Sequence, residues 1–311
     1  MTQIPSFHDP ERVGTLFYPD AGIIADEAAS AGFVPADEDV KTVLLLLIDM
    51  QVDFCHQAGS LYVPGAEDDV RRLLKFLYSH AESISHIACS LDSHLPFQIF
   101  HPAWWVDNEG RHPGPLTVIT EQDGEAGIWR PLRKPEWSRS YVRKLEQLAK
   151  KALVVWPYHV PVGGIGNALD PELWSAVFWH SIARRYQPTL LTKGNIPETE
   201  HYSIVRPEVA VDDAGHGDLS HEFLVMLDSY DYVIVAGEAE THCVLETVGD
   251  LVDLVGEDTG RLNRIFILRD CMSPVAHPEI DFHAMAVEQF TAWERMGLRM
   301  VDSTEALEFL K

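Results

Sequence analysis

The chain has 311 residues, with 24 basic and 48 acidic side chains and a formal net charge of −24. So large a negative charge disfavours nucleic acids and anionic membrane surfaces as partners. The longest unbroken aliphatic run, Val43 to Ile48, is far too short to cross a membrane. We therefore expect one large α/β core with neither a nucleic-acid nor a membrane partner.

Residues 1–40 precede the first strong apolar run and are predicted to form an N-terminal extension. They contain four prolines and scattered acidic residues, and they lack the basic start and apolar core of a signal peptide. We expect the extension to wrap the surface of the domain or a partner subunit. The domain itself is predicted to span residues 41–311.

Four apolar runs, each predicted to be a β-strand, end at chemically capable residues. Because these runs alternate with amphipathic segments, they predict an α/β fold: an open, mostly parallel, doubly wound sheet between two helical layers. Ligands bind at the carboxyl edge of such a sheet, so the residues that follow the strands should converge there. Taken singly, each is more often an ordinary loop residue. The runs are Val43 to Ile48, Ile84 to Leu91, Pro188 to Thr192 and Tyr232 to Val235, and the residues are Asp49, Asp92, His94, Lys193 and Cys243.

Cys243 follows the last of these runs and is predicted to lie in the first turn of a helix that continues to about Leu254. Because a helix N-terminus stabilises an anion, we expect a thiol there to ionise more easily and to act as a nucleophile. A buried structural cysteine explains this segment alone equally well. The chemically capable residues at the other three strand ends favour a nucleophilic cysteine over a structural one.

A candidate metal site lies beside these residues in the sequence. Asp92 and His94 are two residues apart, which places both on one side of an extended chain, and His159 ends the segment Trp156-Pro157-Tyr158-His159. Nitrogen and carboxylate ligands suit zinc, manganese or iron. The chain has 15 histidines, so surface or core roles are the ordinary alternative.

Residues 102–151 separate the first two metal candidates from His159 and are predicted to be an insertion. A long insertion beside a site is more often functional than idle, so we expect a lid or an oligomer contact. Its end, Arg139 to Leu153, is predicted to be a helix. Later elements are predicted as strands at Ile265 to Asp270 and Leu298 to Val301, and as a helix from His283 to Met296.

Three segments together resemble the cysteine hydrolase superfamily of nicotinamidases, pyrazinamidases and isochorismatases, and specifically its nicotinamidase branch. The resemblance covers most of residues 41–305, except for about 50 residues after His101, and a match to all the motifs is far more specific than a match to one. The segments are Ile48-Asp49-Met50-Gln51-Val52-Asp53-Phe54, Thr192-Lys193-Gly194 and Gly237-Glu238-Ala239-Glu240-Thr241-His242-Cys243-Val244.

The resemblance implies a catalytic triad with Asp49 as general base, Cys243 as nucleophile and Lys193 between them. It also implies an oxyanion hole made by the backbone N–H groups of Cys243 and Ala239, with a cis peptide bond between Ala239 and Glu240. Glu240 departs from the family, because many relatives have a small or uncharged residue there.

The same resemblance implies the metal ligands and the substrate. Asp92, His94 and His159 would hold one divalent ion, zinc foremost with manganese or iron as alternatives, and His101 resembles a histidine that some relatives use as a fourth ligand. Phe54 and Trp156 would hold a heteroaromatic ring, although core packing is the ordinary role of such residues.

The activity implied is hydrolysis of nicotinamide to nicotinate and ammonia through a thioester, as in NAD salvage. Another small amide in the same superfamily is the alternative substrate, and a non-catalytic metal-binding relative is the alternative outside catalysis. The four cysteines form no Cys-x-x-Cys pair and a nucleophilic thiol must stay reduced, so we expect a cytoplasmic enzyme. We also expect a homo-oligomer.

Overall fold

A sheet of six parallel strands forms the centre of the computed structural model, which describes residues 4–149, 152–211, 221–256, 258–278 and 280–310. The spatial order of the strands is β6-β5-β4-β1-β2-β3, so the chain starts in the middle and winds toward both edges. The predicted strand ends agree with the observed ones to within two residues. The strands are β1 (Val43–Ile48), β2 (His86–Asp92), β3 (Thr189–Lys193), β4 (Tyr232–Gly237), β5 (Ile265–Leu268) and β6 (Arg299–Val301).

Helices cover both faces of this sheet. The central strand β1 is buried on both sides, which explains why it is aliphatic without alternation. Its odd-numbered residues pack with α1, α3 and α6, and its even-numbered residues pack with α7, α8 and α10. The predicted three-layer, doubly wound α/β fold is therefore confirmed. The helices are α1 (Ala21–Ser30), α2 (Val52–Cys55), α3 (Ala66–His80), α4 (Glu121–Glu125), α5 (Pro135–Lys144), α6 (Pro171–Ala183), α7 (His221–Asp228), α8 (Leu245–Val255), α9 (Thr259–Leu262) and α10 (Phe282–Met296).

Short helical turns connect several of these elements. They are 3-10 turns at Pro10–Arg12, Ala36–Glu38, Pro102–Trp104, Ile165–Asn167 and Glu308–Leu310, and π-helical turns at Leu145–Ala149 and Glu240–Val244. Within the described ranges, none of the helices has both the length and the apolar content needed to cross a bilayer.

Residues 4–40 pack on the outer surface of helix α6 in the same chain. The buried carboxylate of Glu172 accepts a hydrogen bond from His8 Nδ1 at 2.8 Å and forms an ion pair with Arg12 at 2.6 Å. The N–H of Gly14 donates to the Asp170 carboxylate at 3.0 Å. Since α1 also contributes Ile24 to the core, the segment wraps its own domain.

The described part of the insertion, residues 102–149, contributes to a small third core beside the sheet. Two short antiparallel pairs, Trp105–Val106 with Arg130–Pro131 and Val118–Ile119 with Leu153–Val154, enclose it. The predicted helix from Arg139 to Leu153 is wrong at both ends. The helix begins at Pro135, a residue suited to a first turn, and Leu153–Val154 pairs as a strand, as its apolar, β-branched run favours.

Candidate active site

A pocket opens at the carboxyl edge of the sheet, where the neighbouring strands β4, β1, β2 and β3 end. It encloses about 480 Å³ of space, including its open mouth. Predicted site residues and aromatic side chains line it together: Phe54, Asp92, His94, Trp156, His159, Ala239 and Cys243.

Lys193 joins the two other members of the predicted triad. Its Nζ lies 2.8 Å from Asp49 Oδ2 and 3.4 Å from Cys243 Sγ. The ammonium also donates to the His201 carbonyl at 3.0 Å and lies 3.2 Å from Asp92 Oδ1. The cation is thus within reach of both the base and the thiol inside a buried site.

Burial controls the protonation of this group. It raises the pKa of the Cys243 thiol well above its usual value, although the ammonium of Lys193 opposes the shift. The prediction that the helix start makes this thiol easier to ionise is therefore wrong, because desolvation outweighs the nearby positive charge. Burial raises the pKa of Asp49 as well, and Lys193 again opposes it. Burial alone would lower the pKa of Lys193, but Asp49 and Asp92 raise it, so the lysine stays charged.

The conformation of Asp49 is unusual and is held by the neighbouring strand. Its φ of 46° lies in the left-handed region, which costs a non-glycine residue about 1 kcal/mol or more. Ser90 on β2 accepts a hydrogen bond from the Asp49 N–H at 3.0 Å and donates its hydroxyl to Asp49 Oδ1 at 2.5 Å. Sequence reasoning missed Ser90, because a serine inside a strand carries no signal of its own.

The segment that carries Cys243 begins with a close contact between strands. Gly237 has φ 139°, and a Cβ there would lie 2.1 Å from the Ile48 carbonyl oxygen, so only glycine fits. The cis peptide bond joins Glu238 to Ala239, whereas the predicted position was Ala239–Glu240. The prediction is wrong by one residue: the Glu240 N–H donates to the Ser273 carbonyl at 2.9 Å, and an ordinary trans unit follows Ala239.

Glu240, the departure from the family pattern, does not line the pocket. Its Oε2 accepts a hydrogen bond from His283 Nδ1 at 2.6 Å, on the side of helix α10. Glu238 is fully buried instead, next to Asp69, and its Oε2 accepts the Ser273 N–H at 3.2 Å. The side chains of both glutamates thus make their contacts outside the pocket and help to hold the segment that carries Cys243.

Three predicted metal ligands lie together. One ligand atom from each of Asp92, His94 and His159 can be chosen so that all lie within 4.8 Å of one another. Asp92 Oδ2 lies 2.9 Å from His94 Nε2 and 3.9 Å from His159 Nε2. Backbone carbonyls hold the opposite ring nitrogens: His94 Nδ1 pairs with Gly194 O at 3.0 Å, and His159 Nδ1 with Pro157 O at 2.7 Å.

This donor set fits a divalent transition metal. A carbonyl partner at Nδ1 places the proton there and leaves the Nε2 lone pair for a ligand. Burial lowers the pKa of His159 to about 4, so the imidazole is neutral, as ligation requires. Burial alone would raise the pKa of Asp92, but His94 and Lys193 hold it well below its usual range.

His101 lies next to this set but outside it. Its ring centroid is 5.8 Å from that of His94 and 6.3 Å from that of His159. The ring is buried, and neither nitrogen makes a hydrogen bond of ordinary geometry. Burial lowers its pKa to about 3. A buried imidazole with two unused nitrogens beside a carboxylate and two histidines fits a further ligand, and the role stays a prediction.

Three residues that had no predicted role help to position the candidate metal ligands. Gln51 exchanges two 2.8 Å hydrogen bonds with the backbone of Asp92. Asp53 accepts the Val160 N–H at 2.6 Å and so holds the loop that carries His159. Gly194 has φ 80°, and a Cβ there would lie 2.3 Å from Asp92 Oδ1. All lie inside the quoted motifs, but only the structure shows what they contact.

The two predicted ring-binding residues face the same pocket. The Phe54 ring lies 5.6 Å from that of His159, and the Trp156 ring lies 5.2 Å from that of His242. Seven further lining residues had no predicted role. His242 lies inside the quoted segment that carries Cys243, and the other six lie where the sequence gives no functional signal. The seven residues are Leu61, Phe100, Glu200, His201, Tyr202, His242 and Val275.

No protein-family model matches the chain, and no curated protein matches it in sequence. Solved structures do match. The yeast nicotinamidase Pnc1p is 16% identical over 84% of this chain and 100% of its own, with a TM-score of 0.56. The nicotinamidase/pyrazinamidase of Acinetobacter baumanii is 15% identical over 87% of this chain and 100% of its own, with a TM-score of 0.56.

A third similar structure is PnC1 from L. infantum in complex with nicotinate, 19% identical over 88% of this chain and 96% of its own, with a TM-score of 0.51. At such identities the likeness establishes a shared fold. The chain therefore has the fold of the nicotinamidase structures, as its motifs predict.

Proposed function

We propose that this chain is a metal-assisted cysteine amidohydrolase that converts nicotinamide to nicotinate and ammonia through a thioester on Cys243. The observation that carries the proposal is the position of Lys193 Nζ, 2.8 Å from Asp49 and 3.4 Å from Cys243. The Asp92, His94 and His159 set lines the same pocket. The fold shared with the nicotinamidase structures supports it.

The reaction follows from the protonation states. Because the pKa of Cys243 is raised, the resting thiol is neutral and needs a base, and Asp49 is the carboxylate placed to remove its proton. The thiolate, stabilised by Lys193, attacks the amide carbon. The backbone N–H groups of Ala239 and Cys243 stabilise the oxyanion. Asp49 then returns the proton to the leaving nitrogen, and ammonia departs.

Water completes the cycle. With Asp49 again as base, a water molecule adds to the thioester carbon, the carbon–sulfur bond breaks, and the proton returns to Cys243. The net change is one amide and one water to one carboxylic acid and one ammonia.

A divalent ion held by Asp92, His94 and His159, with zinc foremost and manganese or iron as alternatives, would supply a Lewis acid at the pocket. Phe54 and Trp156 offer two aromatic surfaces for a flat ring beside it. A heteroaromatic amide with a ring nitrogen suits both features, and nicotinamide is the simplest such substrate.

Ammonia release from a panel of amides tests the proposal. Nicotinamide and pyrazinamide should be hydrolysed at least about a hundredfold better than benzamide, which has the ring and the amide but lacks the ring nitrogen. Aliphatic amides should be poorer still, and Cys243→Ala should release no ammonia from any of them. If benzamide is hydrolysed as fast as nicotinamide, the substrate is another small amide. If no amide is hydrolysed, the chain is a non-catalytic relative.

Other features remain predictions: the N-terminal extension at 1–40, the domain at 41–311, the homo-oligomer, the cytoplasmic location and the role in NAD salvage. All four cysteines are buried and unpaired, which agrees with a reducing compartment.

A further inference from the structure

Glu200 is a buried carboxylate in the pocket wall that joins three aromatic side chains. Its Oε1 accepts hydrogen bonds from Trp156 Nε1 at 3.2 Å and from the Tyr202 hydroxyl at 2.5 Å. Its Oε2 accepts the Tyr141 hydroxyl at 2.9 Å. Both carboxylate oxygens are thus engaged by ring-bearing residues.

The hydrogen bonds at Oε1 fix the orientation of the Trp156 ring. An indole has a single N–H donor, and that of Trp156 is shared between Glu200 Oε1 and the Tyr202 oxygen, 2.9 Å away. Because both acceptors lie at the same edge of the ring, the indole cannot turn without losing them. The wall that faces the substrate ring therefore depends on Glu200.

Tyr141 connects this wall to the insertion. It lies in helix α5, and its hydroxyl both donates to Glu200 Oε2 and accepts the Glu200 backbone N–H at 3.0 Å. Burial and the adjacent Glu200 carboxylate raise the pKa of Tyr141 and of Tyr202 well above the usual value. Both hydroxyls therefore remain protonated donors at neutral pH.

Burying the carboxylate of Glu200 costs free energy. An apolar side chain would pack there without the desolvation penalty, whereas a carboxylate is tolerated only when donors hold it. What such a network adds is one defined arrangement of the groups it joins. The groups joined here are the pocket wall and the insertion.

We propose that Glu200 is a positioning residue that fixes the plane of Trp156, and that the insertion sets the ring-binding slot through Tyr141 and Glu200. The inference rests on the proposed function for its choice of substrate. On this proposal the insertion, residues 102–151, supports the pocket wall.

Tyr141→Phe tests this chain of contacts. The change deletes the hydroxyl but keeps the ring, and Glu200→Gln is a second variant that keeps the shape of the side chain. Loss of a hydrogen bond to a charged group should raise KM for nicotinamide on the order of tenfold, while kcat changes less than about twofold, because the wall binds the ring but takes no part in bond making. Alkylation of Cys243 by iodoacetamide, which has no ring, should keep its rate.

Trp137→Phe is the matched control. Trp137 lies in the same helix and donates its Nε1–H to the Glu198 carbonyl at 2.8 Å, so the change also removes a link between the insertion and this loop. The Trp137 ring centroid lies 6.3 Å from that of Tyr141, but its N–H donates to neither Glu200 nor Trp156. Its KM for nicotinamide should stay within about twofold of the unmodified protein.

A readout without substrate completes the test. In protein labelled with 5-fluorotryptophan, the Trp156 resonance, assigned from Trp156→Phe, should shift or broaden in Tyr141→Phe and Glu200→Gln but not in Trp137→Phe. If KM and this resonance are both unchanged in Tyr141→Phe and Glu200→Gln, or if Trp137→Phe changes them equally, the proposal is wrong. If no amide is hydrolysed at all, the proposed function fails and the resonance alone decides the positioning role.

Discussion

The two sides of the pocket are held in place by different means. On one side, Asp49, Lys193 and Cys243 are placed by the ends of strands, and the ladder fixes their separation: Asp92 is paired with Lys193, and Ile48 with Gly237. On the other side, His159, Trp156 and Glu200 lie outside the sheet, where buried hydrogen bonds from side chains hold them. Strand pairing holds the first side, whereas the second side combines a few backbone hydrogen bonds with those from individual side chains.

This difference predicts where substitutions act. A change on the strand-end side should remove chemistry without moving its neighbours, because the ladder remains. A change among the loop supports should loosen metal or ring binding while the triad stays intact. Three substitutions test the contrast, from the largest effect to the smallest.

Removal of a loop ligand should have the largest effect. Purified protein should contain about one divalent transition metal per chain, and His159→Ala should lose most of that metal and its amide hydrolysis. Because His159 is outside the sheet, the free energy of unfolding measured in the presence of a chelator should change little. Elemental analysis checks the metal content. Full metal content with full activity in the variant would exclude His159 as a ligand.

Removal of a loop support should weaken the metal site without abolishing it. Asp53→Asn keeps one acceptor oxygen and turns the other into an NH2 donor, so either the Val160 N–H at 2.6 Å or the Ser60 N–H at 3.0 Å loses its acceptor, and the loop that carries His159 is held less firmly. We expect metal affinity to fall about 10- to 100-fold, the usual cost of losing an outer-shell partner. Competition with a metal chelator measures it. Exposed Asp37→Asn is the control, and equal affinity in both variants would show that Asp53 does not support the site.

The smallest effect on metal binding should come from a change at Glu238, beneath the segment that carries Cys243, where we expect a pH dependence of stability instead. Burial raises the pKa of Glu238 well above 4.5, and the adjacent Asp69 raises it further. Since the folded-state pKa exceeds the unfolded one, the stabilisation is complete below about pH 4.5 and is lost as pH rises through the folded-state pKa.

The Glu238→Gln variant has no ionisable group at this position, so its unfolding free energy should not fall with pH for this reason. Between pH 5 and 8 the unfolding free energy of the unmodified protein should fall relative to this variant, by at most about 1.4 kcal/mol per pH unit. Denaturant unfolding at several pH values measures the difference, and the exposed Glu82→Gln should behave as the unmodified protein. Parallel curves for Glu238→Gln and the unmodified protein would mean that Glu238 is ionised in the fold.

The sequence predicts the strand-end side better than the loop side for a physical reason. An aliphatic run such as Val43 to Ile48 has one stable location, in the middle of a parallel sheet, and this places Asp49 and Cys243 at the same edge. The supporting residues follow no such rule. Glu200 in a loop and Ser90 within β2 are ordinary residue types, and Tyr141, Trp156 and Asp49, which they contact, are distant in sequence. Only the fold brings these partners into contact.

Two predictions for the segment that carries Cys243 were wrong, and both failed because they left out the surroundings of the segment. Proximity to a helix start predicts a lowered thiol pKa, but the burial that opposes it depends on the whole pocket. The position of the cis bond was carried over from a motif and was wrong by one residue. Motifs thus identify which residues meet, while their protonation and backbone geometry depend on what surrounds them.

The central claim is that Cys243 becomes acylated during amide hydrolysis, and acid quench followed by peptide mass spectrometry tests it most directly. During turnover of nicotinamide, the peptide that carries Cys243 should gain the mass of a nicotinoyl group, and the peptides that carry Cys55, Cys89 and Cys271 should not. Hydroxylamine should remove the added mass, as expected of a thioester. Release of ammonia with no adduct on any cysteine at early quench times, or an adduct on a cysteine other than Cys243, would contradict the account.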